Sequence, residues 1–232
     1  MSVSMLDWPD AAVSIPATVR DLNSFRDWAH SDEFPQRGKI TYIRGEILID
    51  ISPQEIESHA KVKGDIYIDL GHYVRNQNLG DLLPDQTMVV NEDADVSNEP
   101  DATFCSWETL RSGRAEYRER KEGSERYVEV VGAPDMVLEV VSRSSFDKDT
   151  RKLAVSYYQA GIDEYWLVDA RGEEIDFRIL TRGKNAYRKL PADRDGFVAS
   201  KVFSRRFRLT RDRNPVGGFQ YHLEIRPLQS TK

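Results

Sequence analysis

Cysteine is nearly missing: Cys105 stands alone in a chain of 232 residues. A lone thiol cannot close an internal disulfide, and no cysteine-rich zinc site can be built around it. Long apolar runs are missing too. The stretch from Met1 to Val13 has no basic segment followed by an apolar core, and no window reaches the roughly 18 apolar residues of a membrane span. The expectation is a cytoplasmic protein with no membrane partner. The four histidines show neither H-x-H nor H-E-x-x-H spacing, which argues against a zinc hydrolase. The phosphate-loop, dinucleotide-binding and nucleophile-elbow glycine motifs do not occur, which removes the commonest NTPase, dehydrogenase and serine-hydrolase readings. An excess of basic residues is also lacking. The formal charge of −6 argues against a surface that coats nucleic acid non-specifically, although acids gathered at a cation site can outweigh a local basic patch.

What is present is enough apolar material, 39% of the chain, for one well-buried core, so a single domain over 1–232 is expected. Thr18 is a plausible N-cap for a helix from Val19 to His30. Ile40–Ile43 and Glu46–Ile51 read as strands joined at Arg44-Gly45, a tight hairpin. Ser52-Pro53-Gln54-Glu55 has the composition of a capping box and predicts a helix from Pro53 to about Gln77. Leu82–Val90 and Asp101–Cys105 read as strands joined by an acidic loop, Asn91–Pro100. The charged segment at about 107–127 reads as an exposed excursion. Met136–Val141 is a continuous apolar run interrupted by one acid, the mark of a central strand covered on both faces. A helix over Thr150–Ala160, ended by Gly161, and a strand over Glu164–Asp169 complete a β-α-β unit. Glu174–Leu180, Ala186–Leu190 and Val202–Leu209 predict antiparallel strands along one edge, followed by a loose polar tail. The fold class is therefore α/β (α+β): a mixed sheet flanked by helices, with a core at about 18–190 and an antiparallel C-terminal extension at 200–232.

Strand alternation places Asp135, Val137, Glu139 and Val141 on one face and Met136, Leu138 and Val140 on the other. An ionised Glu139 buried without a partner costs several kcal/mol, so it calls for a metal ion, a proton or a structural ion pair with Arg or Lys. Two Pro-Asp steps, Pro100-Asp101 and Pro134-Asp135, each open a strand. Asp101 is the better companion for Glu139, because Asp135 lies about 13 Å away along the same strand at ~3.3 Å per residue and reads as a turn aspartate. Two carboxylates on neighbouring strands suit Mg²⁺ or Mn²⁺, which keeps water and phosphate in its other positions. Lys152, in the first turn of the following helix and opposed to its dipole, is the candidate cation, with a solvated surface lysine as the alternative. Asp149 reads as that helix's N-cap. His59 and Glu46 are candidates of second rank at the same cleft, and a lone helical histidine is more often simply packed. The cluster Arg205, Arg206, Arg208, Arg211 and Arg213 could touch phosphates or protect an edge strand.

Taken together, Ile43-Arg44-Gly45-Glu46, Ser52-Pro53 with His59, Pro100-Asp101, Pro134-Asp135 with Glu139-Val140-Val141-Ser142, Asp149 with Lys152, Tyr157, Gly161 and Glu164–Asp169 resemble the Uma-type restriction-endonuclease-like family. That family is a branch of the PD-(D/E)XK nuclease superfamily, and the resemblance spans roughly Thr18 to Leu190. It implies a restriction-endonuclease-like fold and a metal-dependent endonuclease acting on DNA. Asp101 and Glu139 would be the metal ligands. Val141 stands where the motif lysine is expected, and Lys152 would be its substitute; Glu46 and His59 would border the site. Cutting two strands would call for a homodimer. Two other readings stay open: a catalytically inactive nuclease-fold module that binds nucleic acid or protein, and hydrolysis of a substrate other than DNA.

Overall fold

The computed structural model describes residues 13–120 and 123–228; the N-terminal stretch read above for a leader falls outside them up to residue 12, as do the last four residues of the tail. Helix α1 (Leu22–Ala29) precedes the hairpin β1 (Lys39–Ile43) and β2 (Glu46–Asp50). A π-helical turn over Ile56–Ala60 then opens α2 (Lys61–Gln77). Next come β3 (Gly80–Pro84), β4 (Met88–Asn91), β5 (Val96–Asn98), β6 (Ala102–Ser106), the short α3 (Trp107–Ser112), β7 (Ala115–Glu119), β8 (Tyr127–Gly132) and β9 (Met136–Val140). A second π-helical turn, Lys148–Lys152, leads into α4 (Leu153–Gln159), followed by β10 (Glu164–Asp169), β11 (Asp176–Arg182), β12 (Tyr187–Lys189), β13 (Val198–Ser200), β14 (Arg205–Arg213) and β15 (Phe219–Pro227). Among the described residues no helix is long and apolar enough to cross a membrane.

The expected mixed α/β fold is present, with its strands shared among three sheets. The first runs β2-β1-β5-β4-β8-β7, the second β12-β11-β10-β9-β6-β3, and the third β13-β14-β15. Pro84 and Gln86, the latter at φ 67°, end β3 and turn the chain from the second sheet into the first, so Leu82–Val90 is two strands rather than one. Arg44 at φ 49° and Gly45 at φ 80° give the hairpin its left-handed two-residue turn, which a β-branched pair could not adopt.

β9 is the central element. It pairs in parallel with β10, with Glu139 opposite Leu167, and antiparallel with β6. Its Met136, Leu138 and Val140 join Val62, Ile66, Leu70 and Val74, the i, i+4 stripe of α2, in the largest core cluster. Val137 and Val141 enter a second cluster with Leu153, Tyr157 and Tyr165. The run Met136–Val141 is thus covered on both faces as its composition predicts.

Several local expectations are corrected. Asp21, not Thr18, caps α1, sharing reciprocal bonds with Ser24. Ser52–Glu55 forms no capping box: the Ser52 amide donates to Asp50, Glu55 accepts from Ser58, and helix begins only at Ile56. The acidic loop contains buried β5, paired with both β1 and β4. The charged excursion holds α3 and β7; its alternating charges are the outward face of an edge strand whose Ala115 is fully buried. β14 is the middle strand of its sheet, not an edge. The tail is ordered because Phe219, Tyr221, Leu223 and Ile225 alternate inward, and its free amides donate to acids of α2, Tyr221 to Asp65 and Leu223 to Asp69, each at 2.8 Å. Glu164, fully buried, ties the third sheet to the second by accepting from Ser200, Trp166 and the Lys201 amide.

Candidate active site

The first and second sheets meet at a cleft of about 350 Å³, walled by β1 and β2 on one side and by the ends of β6 and β9 on the other. Both helices bordering it start in a π-helical turn. The wider winding brings His59 from one, and Lys148, Asp149 and Lys152 from the other, to the cleft wall.

Glu139 projects from β9 into this cleft and is 1% exposed. Its Oε1 accepts from Asn98 Nδ2 and from the Tyr157 hydroxyl, each at 2.8 Å. Burial pushes its pKa up to about 8; Lys148 works against the rise, while Asp149 and Asp101 add to it. Asp101 stands beside it, since β6 and β9 are neighbours as the choice of Asp101 over Asp135 required. Its Oδ2 accepts from the Val140 amide at 2.7 Å, and Lys39 Nζ lies 2.6 Å from its Oδ1. Burial opposes ionisation of Asp101 as well, but Lys39, His59 and Lys63 outweigh it and hold the pKa below the ordinary value. The two neighbouring acids are therefore driven apart, Asp101 toward its ionised form and Glu139 toward its protonated one.

The remaining candidates are placed as follows. His59 Nε2 lies 3.7 Å from Asp101 Oδ2, and its buried Nδ1 has no partner among the described residues. Burial lowers its pKa against the pull of Asp101 and so favours the neutral ring. Lys152 lines the cleft, yet its Nζ is held by both oxygens of Glu46, at 2.7 and 2.8 Å, a half-exposed pair at the rim. Asp135 accepts from Ser106, Thr109 and Arg114, a structural anchor for α3. Asp149 is 1% exposed, bonds no helix amide and pairs with Lys148 at 2.9 Å, so it is a cleft acid and not an N-cap. Val141, at the motif lysine's position, is fully buried in the second apolar cluster. The arginines of β14 are engaged within the protein: Arg206 with Asp193, Arg208 with Glu224, Arg211 with the carbonyls of Ala170 and Gly172, Arg213 with that of Gly217.

Three cleft residues, and Asn98 buried behind Glu139, were not singled out for these roles from the sequence. Lys39 and Thr41 carry a usable signal, since both are polar on the face of β1 opposite the apolar Ile40 and Tyr42. Lys148 and Asn98 carry none.

Residues 22–211 match the Uma2 family, described as "Putative restriction endonuclease". The chain belongs to this family. A similar solved structure is described as a "putative nuclease belonging to DUF820" from Anabaena variabilis ATCC 29413; it is 18% identical, covers 79% of this chain and 90% of that chain, and has a TM-score of 0.58. At that identity the likeness shows the shared fold. No curated protein matches.

Among the described residues no group of three or more His, Cys, Asp or Glu is arranged around a metal position. The donor set is two carboxylates, which fits Mg²⁺ or Mn²⁺, cations that need only one or two protein acids. It does not fit zinc. Glu139 supports the fit: a buried carboxyl group with one oxygen free of bonds among the described residues is the group a divalent cation would complete.

Proposed function

We propose that this cleft is the active site of an endonuclease that hydrolyses DNA phosphodiester bonds and depends on Mg²⁺ or Mn²⁺. The observation that carries the reading is the pair Glu139 and Asp101, buried side by side at the end of the central strand and open to a cleft lined by lysines. Asp101 and Glu139 would hold the cation. When bound, such an ion supplies a water of lowered pKa and neutralises charge on the phosphate. The protein's own part is to keep Asp101 ionised through Lys39, to give up the Glu139 proton on loading, and to face the phosphate with ammonium groups from Lys39, Lys148 or Lys152. His59, whose burial favours the neutral ring, would accept a proton in the cleft. Double-strand cleavage would bring two copies together with paired clefts, and the protein would act in the cytoplasm.

A module that binds without turnover is favoured by one observation: Lys39 closes on Asp101 and Lys152 on Glu46, so one site acid and the candidate lysine are already engaged within the protein. One experiment separates the readings. Mn²⁺ calorimetry on the wild type, Asp101→Ala and Glu139→Ala, run beside nicking of supercoiled plasmid, should show one site and one activity that both substitutions abolish. Nicking that survives in Glu139→Ala would sink the nuclease proposal, and Mn²⁺ binding without any nicking would favour the module.

A further inference from the structure

Glu139 is gripped by side chains from two elements, and a third steadies one of them. Asn98, on β5 of the first sheet, donates from Nδ2 to Glu139 Oε1 at 2.8 Å and to the Tyr157 oxygen at 2.6 Å. Tyr157, on α4, donates its hydroxyl to the same Oε1 at 2.8 Å. Thr41, on β1, donates to Asn98 Oδ1 at 2.6 Å, which fixes the direction in which the amide faces. Both Asn98 protons and its oxygen are thereby used, and the Tyr157 hydroxyl accepts one bond and donates another. All four residues are almost completely buried. A polar network in a dry interior, with these groups paired, holds its members in one geometry.

Where the bonds land is what separates this from ordinary core satisfaction. Both donors converge on Oε1, and among the described residues no hydrogen bond falls on Oε2. Two donors on one oxygen restrain the carboxylate of a residue that lines the cleft and leave its second oxygen without a hydrogen bond among the described residues. We infer that Asn98 and Tyr157 are positioning residues that set Glu139 Oε2 as the oxygen offered to a divalent cation. This inference rests on the two-carboxylate reading above. Outer partners of this kind typically contribute 10- to 100-fold to metal affinity or activity.

The test is Mn²⁺ calorimetry on the whole chain as wild type, Tyr157→Phe and Tyr187→Phe, with each unfolding midpoint measured in chelator. Tyr187 is the comparison because its hydroxyl donates to the Ile162 carbonyl, away from Glu139. The expected result is an Mn²⁺ Kd about 10-fold weaker in Tyr157→Phe and unchanged in Tyr187→Phe, at comparable midpoints. With nicking measured at saturating Mn²⁺, kcat should fall in Tyr157→Phe while KM for plasmid stays within about twofold. A Tyr157→Phe Kd equal to that of the wild type overturns the positioning role while leaving the two-carboxylate site standing. A wild type with no Mn²⁺ site removes both. Should Tyr157→Phe prove unstable, Thr41→Val, which frees the amide to turn, must show the same direction of change; an unchanged Kd there overturns the inference as well.

Discussion

Replacing Glu139 by glutamine should make the metal-free protein more stable, although it removes a residue central to the proposed activity. The folded carboxyl has its pKa pushed up to about 8 by burial, against an ordinary value of 4.5. A carboxylate raised on folding binds its proton more tightly in the native state. Its favourable contribution is therefore complete below the unfolded value and is lost as pH climbs through the window from 4.5 to about 8. At pH 7 the unfolded chain has released the proton and the folded chain has kept it. The gap of about 2.5 pH units at ~1.36 kcal/mol per unit makes this loss roughly 3 kcal/mol. Glutamine cannot ionise, so it escapes the loss, while its carbonyl still accepts from Asn98 and Tyr157. Urea denaturation in chelator at pH 5, 7 and 8 is the assay. Glu139→Gln should nearly match the wild type at pH 5, exceed it by about 3 kcal/mol at pH 7, and gain further toward pH 8. A variant no more stable than the wild type at pH 7 and 8, or a gain independent of pH, would refute the reasoning. Mn²⁺ should then reverse the order by stabilising only the wild type.

Three further outcomes follow from the same structure. Because a cation must displace the Glu139 proton, Mn²⁺ affinity measured by calorimetry should rise about tenfold per pH unit from pH 6 to 7 and level off above 8; a flat profile would count against Glu139 as a ligand. Glu129 is the opposite case: despite burial, His30 and Arg26, the latter at 2.7 Å, hold its pKa down to about 2, so its stabilisation is present above pH 4.5 and lost as pH falls toward 2. Glu129→Gln should cost roughly 3 kcal/mol in urea denaturation at pH 7, and much less at pH 2.5. Lys152→Met removes a half-exposed rim pair with Glu46 and should change stability by under about 1 kcal/mol; a larger loss by thermal denaturation would show a structural role that the geometry does not predict.

The parts of the fold that could be read from the sequence are those in which a single element carries its own pattern. Met136–Val141 and Glu164–Asp169 declare themselves as strands buried on both faces, and Gly161 at φ 85° ends the helix between them. The tail, expected to be loose, was not read: the alternation of Phe219, Tyr221, Leu223 and Ile225 is a strand period, but the polar residues between them masked it. What could not be read is how strands divide among sheets. That division turns on positions such as Gln86, whose positive φ redirects the chain with no signature in composition.

The site divides along the same line. Asp101 and Glu139 are legible because an acid in an apolar strand costs free energy that something must offset. The groups that offset it come from elsewhere in the chain: Asn98 is 41 residues from Glu139 and Tyr157 is 18 residues away, on different elements. The lysine shows most clearly what such distance hides. Position 141 cannot supply an ammonium, because Val141 is sealed among Val137, Leu153 and Tyr157, where an unpaired charge would be stranded. Under the proposed activity a cation would enter from another wall, and sequence distance offers no basis for choosing among Lys39, Lys148 and Lys152. Geometry ranks them. Lys152 is spent on Glu46 at the rim, whereas Lys39 reaches Asp101 at 2.6 Å and Lys148 reaches Asp149 at 2.9 Å inside the cleft. Under the proposed reading, the replacement for the motif lysine therefore shifts from the rim to these two half-buried ammonium groups, one from each side of the cleft.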